Sequence, residues 1–329
     1  MKRWTISSQS ENELDTAMLS TVSTALKAGD LVGVPTETVY GLAADASNPE
    51  ACARIFEAKG RPQFNPLISH VDTLETARQH GVFNAQADRL AEVFWPGPLT
   101  LVLPKREMSS ISDLATAGLD SVALRVPAGA VMRALAAETG YPLAAPSANL
   151  SGKISATTAD DVIADLGSSV AHVLDTGPCP VGVESTIVAC IDDQVRLLRP
   201  GGVPAEDIEH VLGHPLDVVR AANDTNPQAP GMLTSHYAPG AKVRLEADHV
   251  EAGEALLAFG PASLPGADTA NAVFNLSENG DLREAATRLF AGLRLLDATQ
   301  AQMICVQHIP KEGLGAAIND RLRRAAAPR

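Results

Sequence analysis

A chain of 329 residues with 45% apolar residues and a formal charge of −13 is long enough for more than one core, and its composition indicates a soluble globular protein, not a disordered or membrane one. The acidic balance excludes a broad basic face that grips nucleic acid through its phosphates, so any RNA contact has to be local. Four widely spaced cysteines, Cys52, Cys179, Cys190 and Cys305, form no C-x-x-C pair, which argues against a zinc site or a disulfide framework and fits a reducing compartment.

The N-terminus, MKRWTISSQS, carries charge with no apolar run behind it, unlike a secretory signal, and no stretch reaches the ~20 apolar residues of a membrane span. A cytoplasmic protein is expected. The first helix is predicted over residues 13–27, with Ala17, Met18, Val22, Ala25 and Leu26 at helical spacing and Gly29 closing it. It delivers the chain to a buried strand at 31–34, a polar turn from Pro35 to Thr38, and a second helix. Ser47 or Asn48 can cap that helix, Pro49 and Glu50 suit its first turn, and Gly60 suits its C′ position. Its exit, Lys59-Gly60-Arg61-Pro62, is cationic and leads into another strand. Lys supplies a point charge and Arg a planar fork for phosphate oxygens, so this rim suits a polyphosphate beside a small polar substrate. Basic residues at a helix C-terminus also serve simply to complement the dipole.

Helices are expected at 73–80 and 85–94, then a rigid turn from Trp95 to Pro98 and a buried strand at 99–103. The strand within 119–127 places Arg125 among apolar neighbours, where it needs either a structural partner or an anionic ligand. At 141–155 an apolar strand stops at Pro146, and Ser147, Asn149, Ser151, Gly152, Lys153 and Ser155 precede a helix at 158–166. Small hydroxyls, glycine and a helix N-terminus favour phosphate, although the same residues populate ordinary caps and turns.

Two alternating strands at 185–190 and 194–198 are joined by Asp192-Asp193, which brings the E-S-T start of one beside Arg199 at the end of the other. A helix at 205–212 precedes a Pro- and Asn-rich linker that ends in S-H-Y-A-P. Gly213 and Pro215 break the helix that a His210/His214 metal pair would need. The remainder alternates strand 242–245, helix 250–256, strand 257–259, strand 272–275, helix 282–299, strand 303–306 and helix 313–327, a small α/β lobe with a largely parallel sheet. No Ser-His-Asp or Cys-His constellation and no P-loop occurs.

The ordered motifs P-T-E-T-V-Y-G-L, K-G-R-P-x-x-N-P-L-I-S-H, P-S-A-N-x-S-G-K, the S-H-Y-A-P linker and the tail G-L-G-A-A-I-N-D-R-L-R-R-A-A together resemble the Sua5/YrdC family of threonylcarbamoyl-AMP synthases. The resemblance implies an α/β protein with a YrdC-like twisted mixed-sheet catalytic domain over 1–212, a linker over 213–240 crossing the active-site mouth, and a smaller Rossmann-like Sua5 C-terminal domain over 241–329. It implies a nucleotidyltransferase that joins L-threonine, bicarbonate or CO2, and ATP into threonylcarbamoyl-AMP, with Mg2+ carried on the triphosphate and no metal held by protein side chains. By carry-over, Lys59 and Arg61 are catalytic, Thr38, His70, Arg125, Ala145 and Ser185 meet L-threonine, and Lys59, Arg61, Asn65, Ser121, Ser147, Asn149, Ser155 and Arg199 meet ATP. Ser235, His236 and Tyr237 would line a lid.

Two positions depart from the family's habit. Ala128-Gly129-Ala130 follows the R-x-P motif where a His and a Pro are common, and Ala156 stands where Pro is frequent. The implied partner is a downstream tRNA threonylcarbamoyl transferase complex acting next to the anticodon of tRNAs decoding ANN codons, with tRNA contact indirect or weak and no membrane contact. An RNA-binding or regulatory module of the YrdC type is the alternative, opposed by the acidic charge. A carbamoyl-transfer maturation factor for metalloenzymes would carry cysteine-rich fingers that this sequence lacks.

Overall fold

The computed structural model describes residues 1–7, 14–192, 194–218 and 235–328. Glu13 at the expected helix start, Asp193 of the hairpin turn, most of the linker and Arg329 lie outside the described residues.

Strand β1 (Lys2–Thr5) is followed by α1 (Thr16–Lys27), whose N-cap Asp15 accepts from the amides of Ala17 and Met18. β2 (Val32–Val34) and β3 (Gly41–Asp45) form a buried antiparallel pair. β3 is not among the expected elements, because its small residues show no alternation when both faces are buried. α2 (Pro49–Lys59) is capped by Asn48 and stopped by Gly60 at φ 58°. The domain continues through β4 (Ile68–His70), α3 (Leu74–Arg78), α4 (Ala85–Phe94), β5 (Leu99–Pro104), α5 (Asp113–Thr116), β6 (Ser121–Arg125), α6 (Ala130–Thr139), β7 (Leu143–Ala144) and α7 (Ala159–Leu166). It closes with β8 (His172–Asp175), the hairpin β9 (Thr186–Ile191) and β10 (Gln194–Arg199), α8 (Ala205–Leu212) and β11 (Asp217–Val218).

These strands form one mixed eleven-stranded sheet in the order β1-β8-β2-β3-β7-β4-β6-β5-β9-β10-β11. Its register gathers polar side chains from distant segments. His70 of β4 is paired with Arg125 of β6, and Arg199 of β10 with Ile187 of β9, so these side chains fall in one band across the sheet. One face packs on Leu42, Ile55, Leu90, Leu101, Leu103 and Leu124 with their helices. On the band's own face, Ile68, Val102, Ala123, Ile187 and Leu198 form a small apolar floor.

The second lobe has a four-stranded all-parallel sheet built from β12 (Lys242–Ala247), β13 (Ala255–Ala258), β14 (Ala272–Asn275) and β15 (Met303–Gln307), in the order β12-β15-β13-β14. It is completed by α9 (Leu282–Ala298) and α10 (Leu314–Ala325). The expected helix over 250–256 is corrected: Gly253 turns at φ 88°, and residues 255–258 are the fully buried strand β13. A short apolar run reads the same in either element, and central position in a parallel sheet decides it.

The lobes share a core in which Val39, Ile154, Val183 and Tyr237 pack with Leu289, Phe290 and Leu293 of α9. Gly182 permits this approach, and Gly201 permits a close backbone crossing within the first lobe. A Cβ on Gly182, at φ 77°, would stand 2.3 Å from Thr287 Cα of α9, and one on Gly201 would stand 2.4 Å from the backbone of Glu184, Ser185 and Thr186. No helix among the described residues is long and apolar enough to cross a membrane.

Candidate active site

The band of the sheet ends in a narrow, partly enclosed hollow. Thr38, Arg61, His70, Arg125, Ala145, Ser147, Ser185, Arg199, His236 and Tyr237 all line it, so side chains from segments separated by some 200 positions meet. Glu184 joins them and was not anticipated from sequence.

Arg125 is held on three sides. Its Nε donates to Gly97 O at 3.1 Å and its Nη1 to Thr38 Oγ1 at 3.0 Å, while Nη2 stands 2.6 Å from Glu37 Oε1, an ion pair out of hydrogen-bond alignment. The two alternatives read from sequence therefore coexist: the guanidinium has a structural carboxylate partner and also faces the hollow. Burial works to raise the Glu37 carboxyl, but Arg125 pulls it below its usual value. Burial, then Arg125, pushes the His70 imidazole down to about 3, so it is neutral, and its Nδ1 is buried with no hydrogen-bond partner.

Arg61 turns its guanidinium to the carbonyls of Asn65 and Pro66, at 3.0 Å for the latter, and burial lowers it to about 10. Arg199 donates to Ser185 O at 2.9 Å and Ser185 Oγ at 3.3 Å, and the Ser185 hydroxyl meets Thr100 Oγ1 at 2.7 Å. The hairpin thus places a hydroxyl beside an arginine, as its sequence implies.

Six expected residues lie outside the lining. Lys59 departs from the expectation that it faces phosphates: its buried ammonium donates to Ser147 O and Asn149 O, and burial followed by Arg61 lowers its pKa well below the usual lysine value. Asn149 secures the same loop, donating to Leu150 O and Lys153 O, and Asn65 is buried beneath Arg61 with its Oδ1 unpartnered. Ser155 donates to Glu184 Oε1 at 2.5 Å. Ser235 is half-buried at the start of the lid. Ser121 shares Arg125's face of β6 but sits four residues away, about 13 Å at strand spacing, opposite Pro104.

The α7 N-terminus is also corrected as a phosphate site. Thr158 and Asp161 form a capping box, and the amides of Thr157 and Thr158 already donate to Asp161 Oδ2.

The lid residues His236 and Tyr237 cross the hollow. Tyr237 takes φ 60°, unusual for a residue with a side chain, and stacks on Phe290 at 5.5 Å between centroids. The amide of His236 donates to Arg324 O and that of Ala238 to Gly152 O, tying the segment to both lobes. Burial drives the His236 imidazole down to about 3. Among the described residues, no group of three or more His, Cys, Asp or Glu is arranged to hold a metal ion.

The Sua5_yciO_yrdC family model, described as "Telomere recombination", matches residues 24–201, and the model for "Threonylcarbamoyl-AMP synthase, C-terminal domain" matches residues 203–327. A Bacillus subtilis threonylcarbamoyl-AMP synthase is 38% identical, aligned over 100% of this chain and 98% of its own. A Pyrococcus abyssi threonylcarbamoyl-AMP synthase is 40% identical over 92% of each chain. The crystal structure of P. abyssi Sua5 complexed with L-threonine superimposes with a TM-score of 0.90 at 35% identity, covering 99% of this chain and 98% of that one. This chain belongs to the Sua5/YciO/YrdC family, in its two-domain Sua5 form.

Proposed function

We infer that this protein is a threonylcarbamoyl-AMP synthase, an enzyme that makes threonylcarbamoyl-AMP and pyrophosphate from L-threonine, bicarbonate or CO2, and ATP. The observation that carries this is the end-to-end match to a structure complexed with L-threonine, TM-score 0.90, in a chain whose arginines and hydroxyls converge on one hollow.

In this reading the threonine amine is first carbamated. A carbamate oxygen then forms a bond to the α-phosphorus of ATP, the bond from that phosphorus to the bridging oxygen breaks, and pyrophosphate leaves. Such a displacement needs reactants in line and charge neutralised more than it needs a protein nucleophile. Arg125 with Thr38 would take the threonine carboxylate, and neutral His70, Ala145 and Ser185 would surround the rest of the amino acid. Arg61, Arg199 and Ser147 would face the phosphates, with Lys59, Asn65, Asn149 and Ser155 shaping the loops behind them. A nucleotide contact at Ser121 would require ATP to extend along β6. Glu184 is the acidic residue of the lining and is engaged by other side chains, so Mg2+ is proposed to arrive on the triphosphate and to offset its charge.

We further propose that the product passes in the cytoplasm to a tRNA threonylcarbamoyl transferase complex, with tRNA contact indirect or weak given the net charge of −13. The test is to incubate the purified protein with ATP, L-threonine and bicarbonate. Threonine-dependent pyrophosphate release is expected; RNA binding that survives moderate salt, with ATP and threonine inert, would overturn the reading in favour of an RNA-binding module.

A further inference from the structure

Arg321 belongs to the second lobe, yet its side chain is fully buried against the first. From α10 its Nε donates to Glu184 Oε2 at 2.9 Å and its Nη1 to Pro200 O at 2.6 Å. Its own neighbour Asp320 balances it at 3.1 Å, and its guanidinium lies 5.3 Å from the centroid of the Tyr237 ring. One side chain therefore touches a wall residue and a lid residue of the hollow at once.

The wall residue is the more consequential. Glu184 is buried, its other oxygen accepts from Ser155, and the next residue, Ser185, carries Arg199. Arg199, held on the adjacent Ser185, is the other arginine whose charge acts on this carboxylate, so loss of Arg321 leaves Glu184 leaning on Arg199 for compensation. With Arg321 in place, Glu184 is satisfied from behind, and Arg199 stays on Ser185 facing the hollow.

We propose that Arg321 is a positioning residue for adenylate formation, by which the second lobe fixes Glu184 and seats Tyr237 so that Arg199 presents its guanidinium to the ATP side of the pocket. This rests on the synthase reading. The alternative role is mere attachment of one lobe to the other.

The test compares wild type, Arg321→Met and Arg321→Lys by thermal melting and by steady-state pyrophosphate release with ATP and threonine varied separately. Arg321→Met is expected to raise the KM for ATP about tenfold or more, with the KM for threonine changed less than about threefold, and Arg321→Lys to recover part of the loss by restoring a cation to Glu184. A lowered melting temperature with kcat and both KM values within about twofold of wild type, assayed well below the melting transition, would reduce Arg321 to attachment and overturn the proposal. If Arg321→Met does not fold, Arg321→Lys decides by the same criteria. Absence of pyrophosphate release from the wild type would instead sink the synthase reading, which keeps the two failures apart.

Discussion

Glu37 Oε1 stands 2.6 Å from Arg125 Nη2, so the guanidinium facing the hollow already holds one carboxylate before any substrate arrives. Both side chains are almost wholly buried. A substrate carboxylate bound by Arg125 thus joins or displaces an internal one.

Replacing Glu37 with Gln leaves Arg125 buried with its charge uncompensated. The apo protein is expected to lose about 2–4 kcal/mol of stability, and L-threonine, whose carboxylate restores the balance, to raise the melting temperature more than in wild type. Thermal shift with and without threonine checks this. A weaker threonine shift with unchanged apo stability would show instead that Glu37 itself contacts the amino acid.

Lys59→Ala and Arg61→Ala are both expected to abolish adenylate formation, but for different reasons. Without Lys59, the carbonyls of Ser147 and Asn149 lose a buried donor, so the loop loosens and the fold weakens by about 1–3 kcal/mol. Arg61 lines the hollow itself. Full activity in either variant, read by pyrophosphate release, would refute its role.

Acid should destabilise the protein in two stages. His70 and His236 are held near 3 when folded against an ordinary 6.5, so the unfolded chain takes up their protons first and stability falls as pH drops below 6.5 toward 3. The slope is about 1.4 kcal/mol per pH unit for each. Glu184, held at about 2 against 4.5, adds stability above pH 4.5 that is lost as pH falls toward 2. His236→Gln should flatten the first stage by about one proton in denaturant titrations across pH; an unchanged slope would mean His236 titrates normally in the native state.

Gly182→Ala is expected to part the lobes. The added Cβ meets backbone atoms of Thr287 and Ala286 within 2.6 Å, and φ 77° strains any side chain. A cost of about 2–4 kcal/mol and a raised KM for ATP should appear together. A melting curve and kinetics matching wild type would show that α9 shifts to accommodate it.

Local signals made much of the fold legible. The Asn48 cap and Gly60 stop marked α2, apolar spacing marked α1, and strand alternation on either side of Asp192-Asp193 marked the β9–β10 hairpin. The misread segment at 250–256 and the missed β3 are short runs whose character comes from neighbours distant in sequence. At the site, the motifs marked Arg61, Arg125, Ser147 and Arg199, which do meet in one hollow. Their counter-charges were not legible: Glu37 reads as one member of a polar turn, and the Glu184–Arg321 pair spans 137 positions and exists only once the lobes dock. Lys59 looked like a phosphate cation because nothing local reveals that two carbonyls will fold over it.

The pairing of His70 with Arg125 has a consequence for tolerance to change. Neighbouring positions on a strand project to opposite sides, so a single residue gained or lost within β4 or β6 would carry one of these two side chains through to the helix-covered side. Such a protein could retain most of its secondary structure and still be chemically silent. Length variation in this family should therefore collect in the connections between strands, leaving the strands themselves of constant count.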